Sequence, residues 1–186
     1  MESRSSAFDV DACVRANRVH RSVYVDAAIF EAELTRIFER TWIYVGHESQ
    51  VGKPGDYYAT RIGRHPVVMV RGKDEQIRVF LNRCRHKGAQ LVGAGCGKAA
   101  ANALRCGYHG WMYGLDGALR SVPARNGYSE DSVRPGAPDF ALRQVASVDT
   151  YRGFIFARIV GDGPGLADWL GPLADSFDNF VDLTRG

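Results

Sequence analysis

Two short segments of this sequence each combine a cysteine with a histidine. The segment N-R-C-R-H-K-G-A-Q-L, which begins at residue 82, contains Cys84 and His86. The segment L-R-C-G-Y-H-G-W-M-Y, which begins at residue 104, contains Cys106 and His109. Thiolate and neutral imidazole are both good ligands for transition metals. Glycines allow tight turns around a bound inorganic centre, and they occur here at positions 88, 107 and 110. Four donors on two loops predict a metal site.

The mixture of donors favours a 2Fe-2S cluster over a zinc ion. A cluster that takes two Cys on one iron and two His on the other uses this set without remainder. Structural zinc usually takes its ligands at C-x(2-4)-C and H-x(3-5)-H spacing, whereas this chain has C-x-H and then C-x-x-H. A third interpretation is two unrelated core cysteines and two surface histidines, because free cysteine often behaves as a small buried hydrophobe. Cys13 and Cys96 stay outside the predicted ligand set, and Cys96 is expected in a mobile surface loop.

The two motifs resemble those of a known family. C-R-H-K-G-A-Q and C-G-Y-H-G-W are similar to the Rieske motif in the large (alpha) subunits of aromatic-ring-hydroxylating dioxygenases, and the resemblance extends to segments 24–46 and 169–173. It implies a Rieske 2Fe-2S cluster whose ligands are Cys84, His86, Cys106 and His109. Rieske proteins of the cytochrome bc type typically have an additional disulfide and a membrane anchor. Ala89 and Tyr108 occupy the positions where the cysteines of that disulfide would be expected, and we expect no anchor, which favours the dioxygenase-like class.

The resemblance also implies a role in a larger enzyme. A ferredoxin or reductase would reduce the cluster, and the electron would pass to a mononuclear iron in an adjacent alpha subunit of a trimer, with beta subunits in some enzymes. The intact enzyme would use NADH and O2 for cis-dihydroxylation of an aromatic substrate. The alternative function is a stand-alone Rieske ferredoxin.

The remaining histidines do not supply a second iron site. In the resembling family, a catalytic domain holds mononuclear Fe(II) on two histidines and a carboxylate. His20, His47 and His65 are scattered through the first third of the chain, and no pair of them is spaced for one helix face. We therefore expect an electron-transfer portion without catalytic residues, from which the mononuclear iron domain is absent.

The composition indicates a soluble globular protein. The chain has 186 residues, of which 45% are hydrophobic, and this length is sufficient to bury a core. Its N-terminus lacks the apolar segment of a signal peptide, and no apolar run approaches the roughly 18 residues of a membrane span. These features predict a cytoplasmic protein without a membrane contact.

The elements that must position the two motifs are mainly strands. Short alternating runs between turn signals predict strands over 42–45, 57–62, 66–71, 76–81, 118–122, 140–147 and 153–160. Residues 123–138 are expected to form a long exposed loop. We therefore predict a mainly β fold with flanking helices, specifically a Rieske-type antiparallel β sandwich that carries the cluster on two loops.

Helical spacing flanks this region on both sides. Asp26 is a candidate N-cap for an amphipathic helix over 27–39 whose apolar face is Phe30, Leu34, Ile37 and Phe38. Helical spacing returns over 166–183, with an interruption at Gly171-Pro172. The predicted organisation is an N-terminal arm and helix over 1–40, a Rieske domain over 41–160, and the start of a linker to an absent catalytic domain over 161–186.

Charge and aromatic residues suggest how the site is used. Residues 76–115 contain no Asp or Glu, and their basic residues are Arg78, Arg83, Arg85, Lys87, Lys98 and Arg105. This bias predicts docking of an acidic electron donor, and the alternative is a set of ordinary solvated arginines. Nucleic acid is not expected, because these residues are neither on a recognition helix nor interleaved with stacking aromatics. Trp111 and Tyr113 are predicted to shield the cluster from below, and Tyr108 to donate a hydrogen bond near a sulfur.

Overall fold

Antiparallel strands form the framework of the computed structural model, which describes residues 9–129 and 132–184. The strands are β1 (Val14–Arg15), β2 (Arg18–Val19), β3 (Ile43–His47), β4 (Asp56–Ile62), β5 (His65–Arg71), β6 (Ile77–Leu81), β7 (Gly95–Lys98), β8 (Ala103–Arg105), β9 (Met112–Gly114), β10 (Leu119–Ser121), β11 (Ser147–Tyr151) and β12 (Phe154–Arg158). The α-helices are α1 (Val10–Cys13), α2 (Ser22–Val25), α3 (Ala27–Glu33), α4 (Leu166–Leu170) and α5 (Leu173–Leu183). The predicted mainly β fold with flanking helices is confirmed.

A four-stranded sheet lies between two three-stranded sheets. Its strand order is β6-β5-β4-β7, and the smaller sheets have the orders β10-β9-β8 and β11-β12-β3. One face of the large sheet, with Val68 and Phe80, packs with Leu104 of β8 and Leu119 of β10. The opposite face packs with β3 and β12 through a core formed by Val67, Met69, Val79, Val45 and Ile155. Strand β5 is therefore buried on both faces, which explains its nearly continuous apolar sequence.

The C-terminal helices pack on the outer side of the β11-β12-β3 sheet. Trp42 and Phe156 form a small core there with Leu166 and Leu170 of α4. The helix breaks at Gly171, which has φ +49°, and Pro172 follows it. The predicted interruption is therefore confirmed. The break lets the second helix pack Phe177 beside Phe154, with ring centroids 5.0 Å apart.

The N-terminal helix begins as predicted and then departs from the expected face. The Asp26 carboxylate caps it by accepting hydrogen bonds from the backbone N–H groups of Ala28 and Ile29. One π-helical turn over Leu34–Phe38 follows α3, and it changes the angular spacing of the side chains. Ile29 and Leu34 are buried. The predicted contacts of the other three apolar residues are wrong, because Phe30, Ile37 and Phe38 are exposed.

Two further expectations need correction. The predicted strand over 140–147 is wrong: residues 138–140 form a 3-10 turn, and only Gln144 makes an isolated bridge, to Phe80. Residues 123–138 are not simply an exposed loop, since Val133 is buried and Tyr128 packs against the core; Glu130 and Asp131 lie outside the described residues. The part of the predicted N-terminal arm before residue 9 also lies outside them.

Candidate metal centre

The two Cys-His segments form loops with the same backbone hydrogen bonds. In the first loop, the Cys84 N–H donates to the Ala89 carbonyl, and the Gly88 N–H donates back to the Cys84 carbonyl. In the second, the Cys106 N–H donates to the Trp111 carbonyl, and the Gly110 N–H donates back to the Cys106 carbonyl. The first loop follows β6, and the second connects β8 to β9. Histidine follows cysteine by two residues in the first loop and by three in the second, yet the two turns have equivalent backbone hydrogen bonds.

Glycine closes each of these turns. Gly88 has φ +74° and Gly110 has φ +71°, which is the left-handed region that side chains with a Cβ rarely adopt. A Cβ on Gly110 would also lie 2.9 Å from Cγ of Pro123. The third glycine considered in the sequence, Gly107, is not left-handed, and a Cβ there would meet open space.

These loops bring the like donors together. Cys84 and Cys106 are both buried, and their thiols lie close enough to interact with one another. The imidazole rings of His86 and His109 have centroids 4.7 Å apart. The structure thus places cysteine beside cysteine and histidine beside histidine, which is the arrangement that a Rieske-type cluster requires.

A buried tyrosine supports the cysteine pair. The hydroxyl oxygen of Tyr113 lies 3.2 Å from Sγ of Cys84, and it accepts a hydrogen bond from the Arg85 N–H at 3.0 Å. Burial raises the pKa of the Cys84 thiol, while the Tyr113 hydroxyl and the His86 N–H oppose that rise. Burial and the hydrogen bond with Cys84 also raise the pKa of Tyr113. These hydrogen bonds offset part of the cost of a buried thiolate.

The prediction that Tyr108 lies near a sulfur is wrong. Its side chain is 68% exposed, and its ring lies against His109 with a centroid distance of 3.7 Å. Trp111 and Tyr113 are fully buried beneath the loops, as predicted. The tyrosine that reaches a sulfur is therefore the one on strand β9, which sequence spacing alone did not distinguish.

The two histidines have different surroundings. His86 stacks on Trp111, with a centroid distance of 4.8 Å and an interplanar angle of 4°. Its Nδ1 is buried, and it has no hydrogen-bond partner in the described part of the chain. Burial lowers the pKa of His86, as do the nearby His109 and Lys87. His109 is exposed. A buried imidazole nitrogen without a partner is costly unless a metal ion or water binds it, so this donor set fits a metal centre.

Asn82 is a supporting residue that sequence reasoning missed. It is 1% exposed, and its Oδ1 accepts hydrogen bonds from the N–H groups of Leu91 and Val92. Its Nδ2 donates to the Val92 carbonyl at 2.8 Å. These three bonds hold the two ends of the first loop together. The sequence signal for this role was a polar residue, Asn82, two positions before Cys84.

The other histidines and cysteines lie elsewhere. His65 contacts Glu39, His47 contacts Ser49, and His20 contacts Ser22. The expectation that Cys96 lies in a loop is wrong, because it is exposed on edge strand β7, opposite Tyr58 of β4. Over residues 9–129 and 132–184, no three His, Cys, Asp or Glu side chains converge as they would around a single metal ion.

Comparison with known proteins supports this geometry. The Rieske 2Fe-2S domain model matches residues 41–149, which include both loops. The chain belongs to the Rieske 2Fe-2S domain family. The biphenyl 2,3-dioxygenase alpha subunit of Rhodococcus jostii (strain RHA1) is 41% identical over 173 residues, which cover 92% of this chain and 36% of that protein. The cofactor of this Rieske family is the 2Fe-2S cluster.

Solved structures agree with the Rieske fold. A naphthalene 1,2-dioxygenase with indole bound in its active site matches with a TM-score of 0.75 and 37% identity, over 82% of this chain and 33% of that one. A quaternary ammonium Rieske monooxygenase matches with a TM-score of 0.75 and 30% identity, over 86% of this chain and 42% of that one. The chain thus spans about a third of the length of the curated relatives that it matches. Among the described residues, every helix is too short or too polar to cross a lipid bilayer.

Proposed function

We propose that this chain transfers electrons through a Rieske 2Fe-2S cluster as part of an aromatic-ring-hydroxylating dioxygenase. The proposed ligands are Cys84 and Cys106 for one iron, and His86 and His109 for the other. The observation that carries this proposal is the pair of equivalent turns that bring like donors together. A single zinc ion would need all four donors to converge on one point.

The surrounding residues support this role through identifiable contacts. When bound, such a cluster accepts and releases single electrons, at a potential raised by the imidazole ligands. With Cys84 bound to iron as a thiolate, the Tyr113 hydroxyl would donate its proton toward the Cys84 sulfur, which favours the more negative state. Trp111 and Tyr113 exclude water from beneath the loops. His109 remains at the surface, where an electron-transfer partner can approach it.

We propose the class of electron-donor protein from the charge around the ligand loops. Arg83, Arg85, Lys87 and Arg105 are exposed beside the two loops, and an acidic ferredoxin or reductase would complement them. The relatives are named as dioxygenase alpha subunits, so we propose that the whole enzyme contains alpha subunits, with beta subunits in some forms. We place a mononuclear iron(II) site in the part of the relatives' length that this chain does not span.

The substrate class is proposed from the names of the relatives. An aromatic ring, hydroxylated with NADH and O2, fits the biphenyl and benzene dioxygenases. A stand-alone ferredoxin is less well supported, because similarity to the dioxygenase alpha subunit covers 92% of the chain. The domain limits of 41–160 and the cytoplasmic location stay predictions.

Metal and sulfide analysis tests the proposed ligands. We expect anaerobically reconstituted protein to hold two irons and two acid-labile sulfides per chain, with the electron paramagnetic resonance spectrum of a reduced Rieske centre. Cys84→Ser, Cys106→Ser, His86→Ala and His109→Ala should each lose most of the iron. Cys96→Ser and His20→Ala are matched controls, because both residues are exposed. Cys96 lies on edge strand β7, and His20 is distant from both loops in sequence. Both variants should retain the iron. Stoichiometric zinc without sulfide would contradict the proposal.

A further inference from the structure

A third segment packs against the two ligand loops. Residues 123–141 connect to the first loop through a hydrogen bond from the Arg85 guanidinium to the Asp139 carbonyl, at 3.2 Å. They meet the second loop at Pro123, which lies against Gly110. The Gly136 N–H donates to the Leu119 carbonyl, which ties the segment to β10. We call residues 123–141 the side wall, excluding Glu130 and Asp131, which lie outside the described residues.

The side wall places one aromatic ring beside the histidine pair. Tyr128 lies edge-on to His86, with a centroid distance of 6.5 Å and an interplanar angle of 74°. It is also edge-on to Trp111, at 6.4 Å and 73°. Trp111 stacks on His86, so His86 is confined by one ring parallel to it and another across its edge. Edge-to-face pairs at such distances are favourable and directional.

The exposed histidine lacks an equivalent enclosure. His109 is covered by Tyr108, which is itself exposed to solvent. The ring of Phe140, the other aromatic residue of the side wall that contacts this region, reaches Trp111 at 6.2 Å. Within the described part of the chain, Tyr128 is therefore the side-wall residue whose ring contacts the His86 imidazole.

We propose that Tyr128 is a positioning residue that fixes the His86 ring and limits its contact with water, and so sets the midpoint potential of the centre. This inference rests on the proposed function, because it requires His86 to be an iron ligand. The potential of an iron-sulfur centre depends on solvent exposure as well as on its ligands. The reduced form carries one more negative charge than the oxidised form, and water stabilises that form. Removal of the Tyr128 ring should therefore raise the potential.

The test compares variants of the reconstituted chain. Tyr128→Leu should raise the midpoint potential and change the nitrogen hyperfine coupling of one of the two histidines, while iron and sulfide content remain those of the wild type. Tyr128→Phe retains the ring, and it should match the wild type in both measurements. Phe140→Leu is the matched control, because it removes an aromatic residue from the same wall without touching His86; its shift should be less than half as large.

Several results would overturn the inference. An unchanged potential and unchanged hyperfine couplings in Tyr128→Leu would do so, as would an equal shift in Phe140→Leu. If Tyr128→Leu fails to retain the cluster, Tyr128→Met provides the same measurement with a side chain of similar volume that adapts more readily to an irregular space. Loss of the cluster from both variants, with Tyr128→Phe intact, would show a purely structural role and overturn the inference. Failure of the proposed function is distinct, since wild-type protein would then contain no iron-sulfide cluster.

Discussion

At the scale of single residues, Tyr113 illustrates how one phenol can tune a buried sulfur. Its hydroxyl is 3.2 Å from Cys84 Sγ in a fully buried position. A hydrogen bond contributes about 1 kcal/mol net, and a tenfold change in a one-electron equilibrium is about 59 mV. We expect Tyr113→Phe to retain the cluster and to lower its midpoint potential by tens of millivolts. Spectroelectrochemical titration would measure this shift.

The matched control for that prediction is Tyr108→Phe. Tyr108 has the same functional group and lies between Cys106 and His109 in the second ligand loop, but it is exposed. The midpoint potential of the Tyr108→Phe variant should therefore equal that of the wild type. Equal shifts in the two variants would refute the assignment of the sulfur hydrogen bond to Tyr113.

Asn82 allows a second prediction at this scale. Asn82→Ala removes three hydrogen bonds within the first loop and leaves the backbone N–H groups of buried Leu91 and half-buried Val92 without their acceptor. Each unsatisfied buried group costs about 1–3 kcal/mol, so we expect the free energy of unfolding to fall by about 3 kcal/mol. Urea denaturation monitored by Trp fluorescence would measure it. Gln90→Ala is the control, because Gln90 donates to the same Val92 carbonyl from an exposed position; a comparable loss there would refute the role of Asn82.

Residue type and spacing were sufficient to single out four candidate donors, whose role as iron ligands stays a prediction, but they did not identify the supporting residues. Cys84, His86, Cys106 and His109 occur in motifs whose chemistry is recognisable without a fold. Tyr113 reaches Cys84 only because β9 runs beneath the first loop, and Tyr108 turns outward because its loop projects from the sheet. Which of two nearby tyrosines contacts a sulfur is decided by the direction of the strand, and the sequence does not display that direction.

At the scale of elements, the three glycines of the ligand loops form a graded series. Gly110→Ala combines a left-handed φ with a contact of 2.9 Å to Pro123. Gly88→Ala has the left-handed φ without a steric contact, and Gly107→Ala has neither. The left-handed conformation costs about 1–2 kcal/mol for a residue with a Cβ. We expect thermal stability and retained iron to decrease in the order Gly107→Ala, Gly88→Ala, Gly110→Ala, with the first close to the wild type. A Gly107→Ala variant as impaired as the other two would show that backbone conformation does not limit these turns, and equal losses in Gly88→Ala and Gly110→Ala would show that the Pro123 contact adds nothing.

Strands bounded by clear turn signals were predicted well, whereas segments held in place mainly by tertiary contacts were not. Strands β4, β5 and β6 have clear turn signals between them, and they lie within one residue of their predicted limits. Strand β7 has the sequence Gly-Cys-Gly-Lys, which has low strand propensity, and it forms only because β4 offers a free edge. Residues 140–147 have the opposite character: their apolar side chains, such as Leu142, pack into the core without forming a ladder.

At the scale of the whole molecule, the two ends of the sheets have different roles. Strand β6 runs from the turn at 72–76 to the first ligand loop, and β9 runs from the second ligand loop to the turn at 115–118. The ligand loops therefore lie at one end of their strands and these turns at the other. At the turn end, the basic residues Arg78 and Arg120 pair with Asp74 and Asp116. Among the described residues, no carboxylate forms an ion pair with Arg83, Arg85, Lys87 or Arg105 beside the ligand loops. The uncompensated positive charge therefore lies at the end that carries the proposed cluster.

Charge reversal at the two ends tests this polarity. Lys87→Glu places a carboxylate beside the ligand loops, and we expect it to slow reduction by an acidic ferredoxin about fivefold at low ionic strength, because it removes steering toward the loops. Lys73→Glu makes the same change on another exposed lysine, in the turn at the opposite end, and it should have little effect. Stopped-flow reduction at increasing salt would measure both rates. The difference between the variants should disappear as screening approaches a Debye length of about 3 Å near 1 M salt, whereas a difference that persists there would mean that Lys87 acts through a local contact and not through the field of the molecule.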